Sequence, residues 1–223
     1  LRDLRPIEKE NMSAQLHEIL YRGEKAVQKI AEARLVFCGA GALGSQLCDN
    51  LVRHGATQIL IVDRDRVEEH NIGTQVYERD EIGAWKAEAL QSRCFRAAGI
   101  EVEAAGKELS EKNATKLLRG ADLVFDTFDN SASRRLVTET CHALNVPCLH
   151  LGVNADYGEV MWNEGYRVPN DVIEGNACDY PLARNLLLFI VALGSEAALR
   201  FLLNDEKENY SFTLGDLSIN REV

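Results

Sequence analysis

Leu35-Val36-Phe37-Cys38-Gly39-Ala40-Gly41-Ala42-Leu43-Gly44-Ser45, followed further on by Ile59-Leu60-Ile61-Val62-Asp63, decides how this chain folds. A short apolar run of β character enters a Gly-x-Gly-x-x-Gly turn, a helical segment follows, and a second apolar run ends on an acid. That order is the order of a nucleotide-binding βαβ unit. Gly39 permits the tight turn, Gly41 lets the backbone approach a phosphate, and Gly44 lets helix and strand pack closely. The amides and dipole at the start of the helix favour a polyphosphate. Asp63, about twenty residues past the glycines, is placed to hold a ribose hydroxyl. The pattern alone leaves NAD, FAD, S-adenosylmethionine and ATP users open.

Outward from this unit, hydrophobic spacing sorts the chain into elements. Residues 11–32 carry Leu16, Ile19, Leu20, Ala26, Val27 and Ile30 at helical spacing, with Gly23 as a break. Strand 35–38, helix 42–54 and strand 58–62 come next. They are followed by helix 83–98, with Trp85, Ala89, Leu90 and Phe95 as its apolar face, and by strand 101–105. A short helix at 111–119, strand 122–126, helix 131–144 and strand 147–153 complete an alternation that predicts a parallel sheet with helices on both faces. Beyond Asn154 the character changes to strand 159–163, an irregular loop 168–178 and a long apolar helix 182–203. Short strands 210–214 and 217–219 close the chain around a Gly215-Asp216 turn. The economical reading is one α/β, Rossmann-like, doubly wound domain over 1–223, its sheet mostly parallel with antiparallel C-terminal strands. It divides into an N-terminal helical arm 1–33, a nucleotide-binding half 34–153 and a C-terminal loop, helix and strands 154–223.

The 223 residues suffice for such a domain with a substantial core. A formal charge of -10 argues against nonspecific binding to nucleic acid or to an anionic membrane, both of which need clustered positive charge. No apolar run approaches the roughly 20 residues of a membrane span. The opening Leu1-Arg2-Asp3-Leu4-Arg5-Pro6 contains no apolar signal core. Cys38, Cys48, Cys94, Cys141, Cys148 and Cys178 are scattered without a Cys-x-x-Cys pair. Buried thiols of a cytoplasmic protein account for them better than a ribbon-type zinc site does.

In an open α/β sheet ligands sit outside the carboxyl ends of the strands, and the loops at that edge are rich in polar residues. The loop after the second strand reads Asp63-Arg64-Asp65-Arg66-Val67-Glu68-Glu69-His70-Asn71-Ile72-Gly73-Thr74-Gln75, and Lys86 follows in the next helix. After the fourth strand comes Asp126-Thr127-Phe128-Asp129-Asn130, with Arg134 one turn into its helix. Together these supply an acid for ribose, a cation for phosphates and an acid free to hold magnesium.

Gly-x-Gly-x-x-Gly-Ser, Asp-x-Asp-x-Val-Glu-x-x-Asn, Gly-x-x-Lys and Asp-x-x-Asp-Asn, in this order and spacing, resemble the ThiF/MoeB/HesA family, the bacterial relatives of ubiquitin-activating enzymes. The resemblance covers nearly the whole chain. It implies ATP·Mg-dependent adenylation of a protein C-terminus, usually the Gly-Gly end of a ubiquitin-like or sulfur-carrier protein, by a homodimer. On this sequence it implies that Gly39, Gly41 and Gly44 shape the nucleotide loop and that Asp63 binds the ribose. It further implies that Asn71 and Lys86 contact phosphates, that Asp129 ligates magnesium, and that Asn130, Asp65, Thr74 and Gln75 neighbour the nucleotide. The chemistry is in-line attack of a carboxylate on the α-phosphate with loss of pyrophosphate. It needs cations more than a base, because the nucleophile is already ionised at neutral pH.

Three departures stand out. The family reads Asn-x-x-Arg-Gln where this chain has Asn71-Ile72-Gly73-Thr74-Gln75, so Thr74 stands in place of a phosphate-binding arginine. Arg64, Arg66 and Arg79 are the nearby replacements in sequence. The N-terminal arm offers Arg22 as its one candidate for reaching a partner subunit's nucleotide. Cys178 lies where relatives place a thioester- or persulfide-forming cysteine, but no adjacent lysine or histidine is present to lower its pKa. Among the remaining marked residues, Asp126 is expected to make local backbone hydrogen bonds. Arg134 is divided between reaching the site and pairing with Glu139 or solvent. His70 reads as a loop residue, and Trp85 and Trp162 as packing residues. An adenylating enzyme, a nicotinamide-dependent dehydrogenase and an inactive nucleotide-binding scaffold all remain open. Lys86 and Asp129–Asn130 favour the first, since they suit a metal-triphosphate and give no reason for hydride transfer.

Overall fold

The central strands are apolar on both faces, as strands covered by helices on two sides must be. The computed structural model describes residues 14–169 and 181–222. Five parallel strands, β1 (Arg34–Cys38), β2 (Gln58–Val62), β3 (Glu103–Ala105), β4 (Leu123–Asp126) and β5 (Cys148–Asn154), are continued by antiparallel β6 (Tyr157–Trp162), β7 (Asn209–Thr213) and β8 (Ser218–Glu222). The sheet order is β3-β2-β1-β4-β5-β6-β7-β8. Successive side chains of a strand alternate between faces. Leu35, Phe37, Ile61, Phe125 and Leu149 accordingly join one core, while Val36, Cys38, Val62, Val124 and Cys148 join the other.

The helices are α1 (Leu16–Arg22), α2 (Glu24–Glu32), α3 (Ala42–Arg53), α4 (Lys86–Ala98), α5 (Ala114–Leu118), α6 (Ser131–Leu144) and α7 (Arg184–Asn204). Leu47 and Leu51 of α3, Leu90 of α4 and Leu187 and Ile190 of α7 cover the first face. Leu118 of α5 and Val137 and Cys141 of α6 cover the second. The strand order reverses between β1 and β4, and the carboxyl ends of those two strands open the crevice in which such sheets bind ligands.

The doubly wound α/β architecture with antiparallel C-terminal strands is therefore present. Gly23 separates α1 from α2 as the sequence predicts, at φ +88°. Several bounds differ. α4 begins at Lys86 rather than at 83, because residues 79–81 form a 3-10 turn and Trp85 is already the extended residue that precedes the helix. Phe95 does not belong to its packed face. The buried stripe runs through Ala87, Leu90 and Cys94, which leaves Phe95 56% exposed. α5 loses its predicted start because Asn113 closes a turn, accepting Ser110 N at 2.9 Å.

Among the described helices α7 is long and apolar enough to cross a membrane, so the expectation that nothing approaches that length fails for this segment. In this fold 56% of that apolar stretch is buried. Leu186, Ile190, Ala198 and Leu202 belong to the core, and Asn50 of α3 donates to Ser195 Oγ at 2.8 Å. Cys38, Cys48, Cys94, Cys141 and Cys148 are free and buried, as expected, and Cys178 lies outside the described residues.

Candidate active site

The glycine turn joins β1 to α3 under tight steric limits. Gly39 is left-handed at φ +104°, and a Cβ there would sit 2.9 Å from Thr127 Oγ1 and 3.3 Å from the Thr127 backbone. At Gly44 a Cβ would lie 2.1 Å from Gly39 O, so helix and strand approach as closely as the motif demands. Gly41 is different, since a Cβ there would meet nothing within 4 Å. Its missing side chain leaves open space at the mouth of α3. That helix has no side-chain cap and no acid in its first turn. Its first amides and its positive dipole end are therefore available to an anion.

Asp63, at the end of β2, holds this turn in place. Its Oδ2 accepts Ala40 N at 2.7 Å and its Oδ1 accepts Asp65 N at 2.7 Å. Burial pushes its carboxyl above the ordinary aspartate range, and the two backbone donors oppose that shift only in part. Tyr77, buried, donates its hydroxyl to Ala40 O at 2.7 Å and lies 3.2 Å from Lys86 O, which ties the turn to the start of α4. Lys86 is the first residue of α4 and is nearly buried, with Nζ 3.4 Å from Asp65 Oδ2. A cation at the positive end of a helix is electrostatically disfavoured, and an anionic ligand would relieve the cost.

Residues 68–75 wrap the other side. Asn71 Oδ1 accepts Glu68 N at 2.9 Å, and Asn71 O accepts Thr74 N at 3.1 Å and Gln75 N at 2.8 Å. The oxygen of Asn71 thus shapes the loop, and its amide nitrogen is the group left for a ligand. Gln46 Nε2 of α3 donates to Thr74 O at 2.7 Å and lies 3.2 Å from Ala42 O. Ser45 Oγ and Gln75 Oε1 are buried without a partner among the described residues. The three arginines near position 74 in sequence are engaged elsewhere. Arg64 bonds Glu108 at 2.6 Å and Arg79 lies 3.6 Å from Glu69. Arg66 bonds Gly83 O at 2.5 Å and stacks over Trp85 with its guanidinium carbon 3.8 Å from the ring centre. The guanidinium that bonds the loop beside Thr74 is that of Arg184 of α7, whose Nη1 donates to Gly73 O at 3.0 Å.

At the end of β4, Asp129 is exposed and takes a 3.3 Å contact from Asn130 Nδ2. Asn130 also caps α6 by accepting Ser133 N at 2.9 Å. No group of three carboxylate, histidine or cysteine ligands is present among the described residues. Asp129 alone fits magnesium, which keeps several waters and binds through one or two carboxylates plus substrate phosphates. Asp126 is more than a local backbone acceptor. It takes Phe128 N at 3.2 Å but is fully buried, with Oδ2 2.8 Å from His150 Nδ1 and 3.7 Å from Arg134 Nη1. Arg134 pairs with neither Glu139 nor solvent. It is buried and donates to Tyr166 Oη at 2.9 Å and Leu151 O at 2.8 Å. Arg22 is likewise held within its own chain, by Glu18 at 2.9 Å and Glu196 at 2.7 Å.

The sequence pattern of the ThiF family matches residues 12–178, three quarters of the chain. The chain belongs to the ThiF family. It is 33% identical over 141 residues to the sulfur carrier protein ThiS adenylyltransferase of Bacillus subtilis, across 61% of this chain and 42% of that protein. It is also 33% identical over 141 residues to the sulfur carrier protein adenylyltransferase of Thermus thermophilus, across 62% of this chain and 52% of that one. The match thus spans about half the length of these relatives. Among solved structures, E. coli MccB in complex with ATP superimposes with a TM-score of 0.79 at 17% identity, covering 96% of this chain and 71% of that one. PaaA superimposes with a TM-score of 0.79 at 15% identity, covering 98% and 75%. These likenesses show the fold.

Within this ThiF-family chain the site brings together Gly39, Gly41, Gly44, Asp63, Asp65, Asn71, Thr74, Gln75 and Lys86 through the contacts above, with Asp129 and Asn130 on the neighbouring strand end. Cys178 lies outside the described residues. Sequence reasoning missed Tyr77, Gln46 and Arg184. Nothing in spacing signals Tyr77 or Gln46, whose partners are backbone carbonyls. Arg184 carried one readable sign, a cation opening an otherwise apolar helix.

Proposed function

We propose that this chain is an adenylyltransferase that uses ATP and magnesium to activate a C-terminal carboxylate, that of a ubiquitin-like or sulfur-carrier protein ending in Gly-Gly. The single observation that carries this reading is the convergence at the β1/β4 crevice. There the uncapped N-terminus of α3, the open face of Gly41 and Lys86 sit beside a strand end bearing the exposed acid Asp129. A site built this way suits a metal-bound polyphosphate. The names of the sulfur-carrier adenylyltransferases to which the chain is similar support the same reading.

In this reaction the acceptor carboxylate oxygen forms a bond to the α-phosphorus while the bond from that phosphorus to the bridging oxygen breaks. Pyrophosphate departs with the electron pair. Two anions must meet, so the protein's task is to neutralise and align them. The α3 amides and Lys86 hold phosphate oxygens, Asp63 supports the turn and faces the ribose, and Asp129 holds the metal. Magnesium, when bound, offsets charge on the phosphates. We place the protein in the cytoplasm and acting as a homodimer.

Calorimetric titration of ATP with magnesium, and of NAD in parallel, on the wild type and Asp129→Ala tests the reading. Magnesium-dependent ATP binding that weakens at least tenfold in the variant is expected. NAD binding without ATP binding would replace the reading with a dehydrogenase. Thr74, which carries no charge, favours a second reading as a weakened scaffold. Under that reading ATP binds but ATP–pyrophosphate exchange stays absent with every Gly-Gly carrier supplied.

A further inference from the structure

Arg184 opens α7, and its contact with Gly73 brings a guanidinium from a distant part of the chain to the phosphate side of the crevice. The neighbouring carbonyl, Thr74 O, is the one held by Gln46, which also reaches Ala42 in the first turn of α3. α3 and α7 run in the same direction. Gln46 near the start of α3 and Arg184 at the start of α7 meet adjacent residues of one loop, and Asn50, about one turn beyond Gln46, bonds Ser195, about three turns beyond Arg184. The N-terminal parts of both helices therefore contact the same loop, α3 through Gln46 and α7 through Arg184.

A residue with a purely structural task fits this position badly. Arg184 is exposed, stands at the end of the helix where the dipole disfavours a cation, and has no acid in the first turn of α7 to offset it. Among the described residues its guanidinium makes one hydrogen bond and no ion pair. One of its five N–H donors is used, and that one fixes the direction of the fork. Lys86 shows the same anomaly, a cation as first residue of a helix, on the opposite side of the glycine turn.

We infer that Arg184 is a phosphate-binding residue of this site, contacting the β- and γ-phosphates of the nucleotide and neutralising the pyrophosphate as it leaves. The inference rests on the adenylation reading above. A guanidinium anchored on Gly73 O presents its remaining N–H groups as a planar fork matched to phosphate oxygens. It supplies beside Thr74 the charge that the threonine side chain lacks, and it acts most strongly where charge develops on the leaving group.

The test compares ATP·Mg with AMP by calorimetry on the whole chain, in the wild type, Arg184→Ala, Arg184→Gln and the double variant Thr74→Arg with Arg184→Ala. Arg184→Gln keeps a donor for Gly73 O and removes the charge. Both single variants should weaken ATP binding by about tenfold or more and leave AMP binding within about twofold, with unchanged melting temperatures. The double variant should recover most of the ATP affinity. Equal weakening toward ATP and AMP, or a normal Arg184→Gln beside a defective Arg184→Ala, would mean that Arg184 only anchors the loop. Unchanged ATP binding in both single variants overturns the inference alone. A wild type that binds neither nucleotide overturns the adenylation reading and this inference with it.

Discussion

His150 and Asp126 form a fully buried pair at adjacent positions of β5 and β4, with Nδ1 2.8 Å from Oδ2. The other ring nitrogen lies 2.7 Å from Asn163 Oδ1, and the ring stacks on Tyr166 at 3.8 Å between centres. Asp126 stands three residues ahead of Asp129, so this network fixes the strand end that carries the candidate metal ligand. His150→Ala leaves a buried carboxylate whose Oδ2 keeps only the longer 3.7 Å contact to Arg134, while Oδ1 keeps Phe128 N at 3.2 Å. Losing one partner of a buried pair costs about 3–5 kcal/mol. Urea denaturation should show a loss of that size, and a loss under about 1 kcal/mol would mean that Arg134 and Phe128 N suffice for Asp126.

Gly44→Ala places a methyl group 2.1 Å from Gly39 O and 2.5 Å from Thr127 Oγ1. Neither neighbour is free to give way, because one is backbone and the other bonds Cys38 O at 3.1 Å. Overpacking of this kind costs about 1–3 kcal/mol or more. A variant that melts within a degree of the wild type would show that the turn is looser than its geometry. Gly41→Ala, with open space around its Cβ, should leave stability within about 1 kcal/mol while weakening nucleotide binding.

Lys86 separates charge from packing. Lys86→Met keeps the buried stem and deletes the ammonium that lies 3.4 Å from Asp65. ATP binding should fall by about tenfold or more while stability stays within about 1 kcal/mol, since half-exposed ion pairs contribute little. An unchanged ATP affinity would remove Lys86 from the phosphate site.

Glu18 and Glu196 share Arg22, and through it α1 is tied to α7. Burial pushes both carboxyls up. His54 and Arg22 outweigh it at Glu18, and Arg22 and Arg200 outweigh it at Glu196, so both end below the ordinary glutamate value of 4.5. Groups with lowered folded pKa values add stability above the unfolded value and lose it as pH falls through the folded one. Arg22→Ala should therefore destabilise the protein by about 1 kcal/mol near neutral pH. The gap from the wild type should close as pH drops below 4.5. Melting curves at several pH values check this, and a gap that is constant with pH would point to lost packing instead.

Much of the nucleotide half was readable because its signals are local. Gly39, Gly41 and Gly44 follow a β-type run at fixed offsets, and at Gly39 and Gly44 the backbone conformation or close approach excludes other residues. Asp126, which does accept Phe128 N as expected, and Arg134, whose partner was left open, were legible only in part for the opposite reason. Their partners, His150, Tyr166 and Leu151, arrive from later strands and a loop, and no spacing rule links residues that meet only when β4 and β5 pair. Phe95 was misplaced because apolar character does not say which of two neighbouring helical positions faces the sheet.

The sequence by itself determined the doubly wound α/β class, the glycine turn and the cluster of polar loops at one sheet edge. All three follow from periodicity, steric exclusion and the rule that strand ends face ligands. Only the tertiary structure decided where the arginines go. It turned Arg64, Arg66 and Arg79 to other partners and brought Arg184 to Gly73. The physical reason is that a guanidinium acts where its helix end lies in space, and that position is set by the packing of α7 on α3 and the sheet.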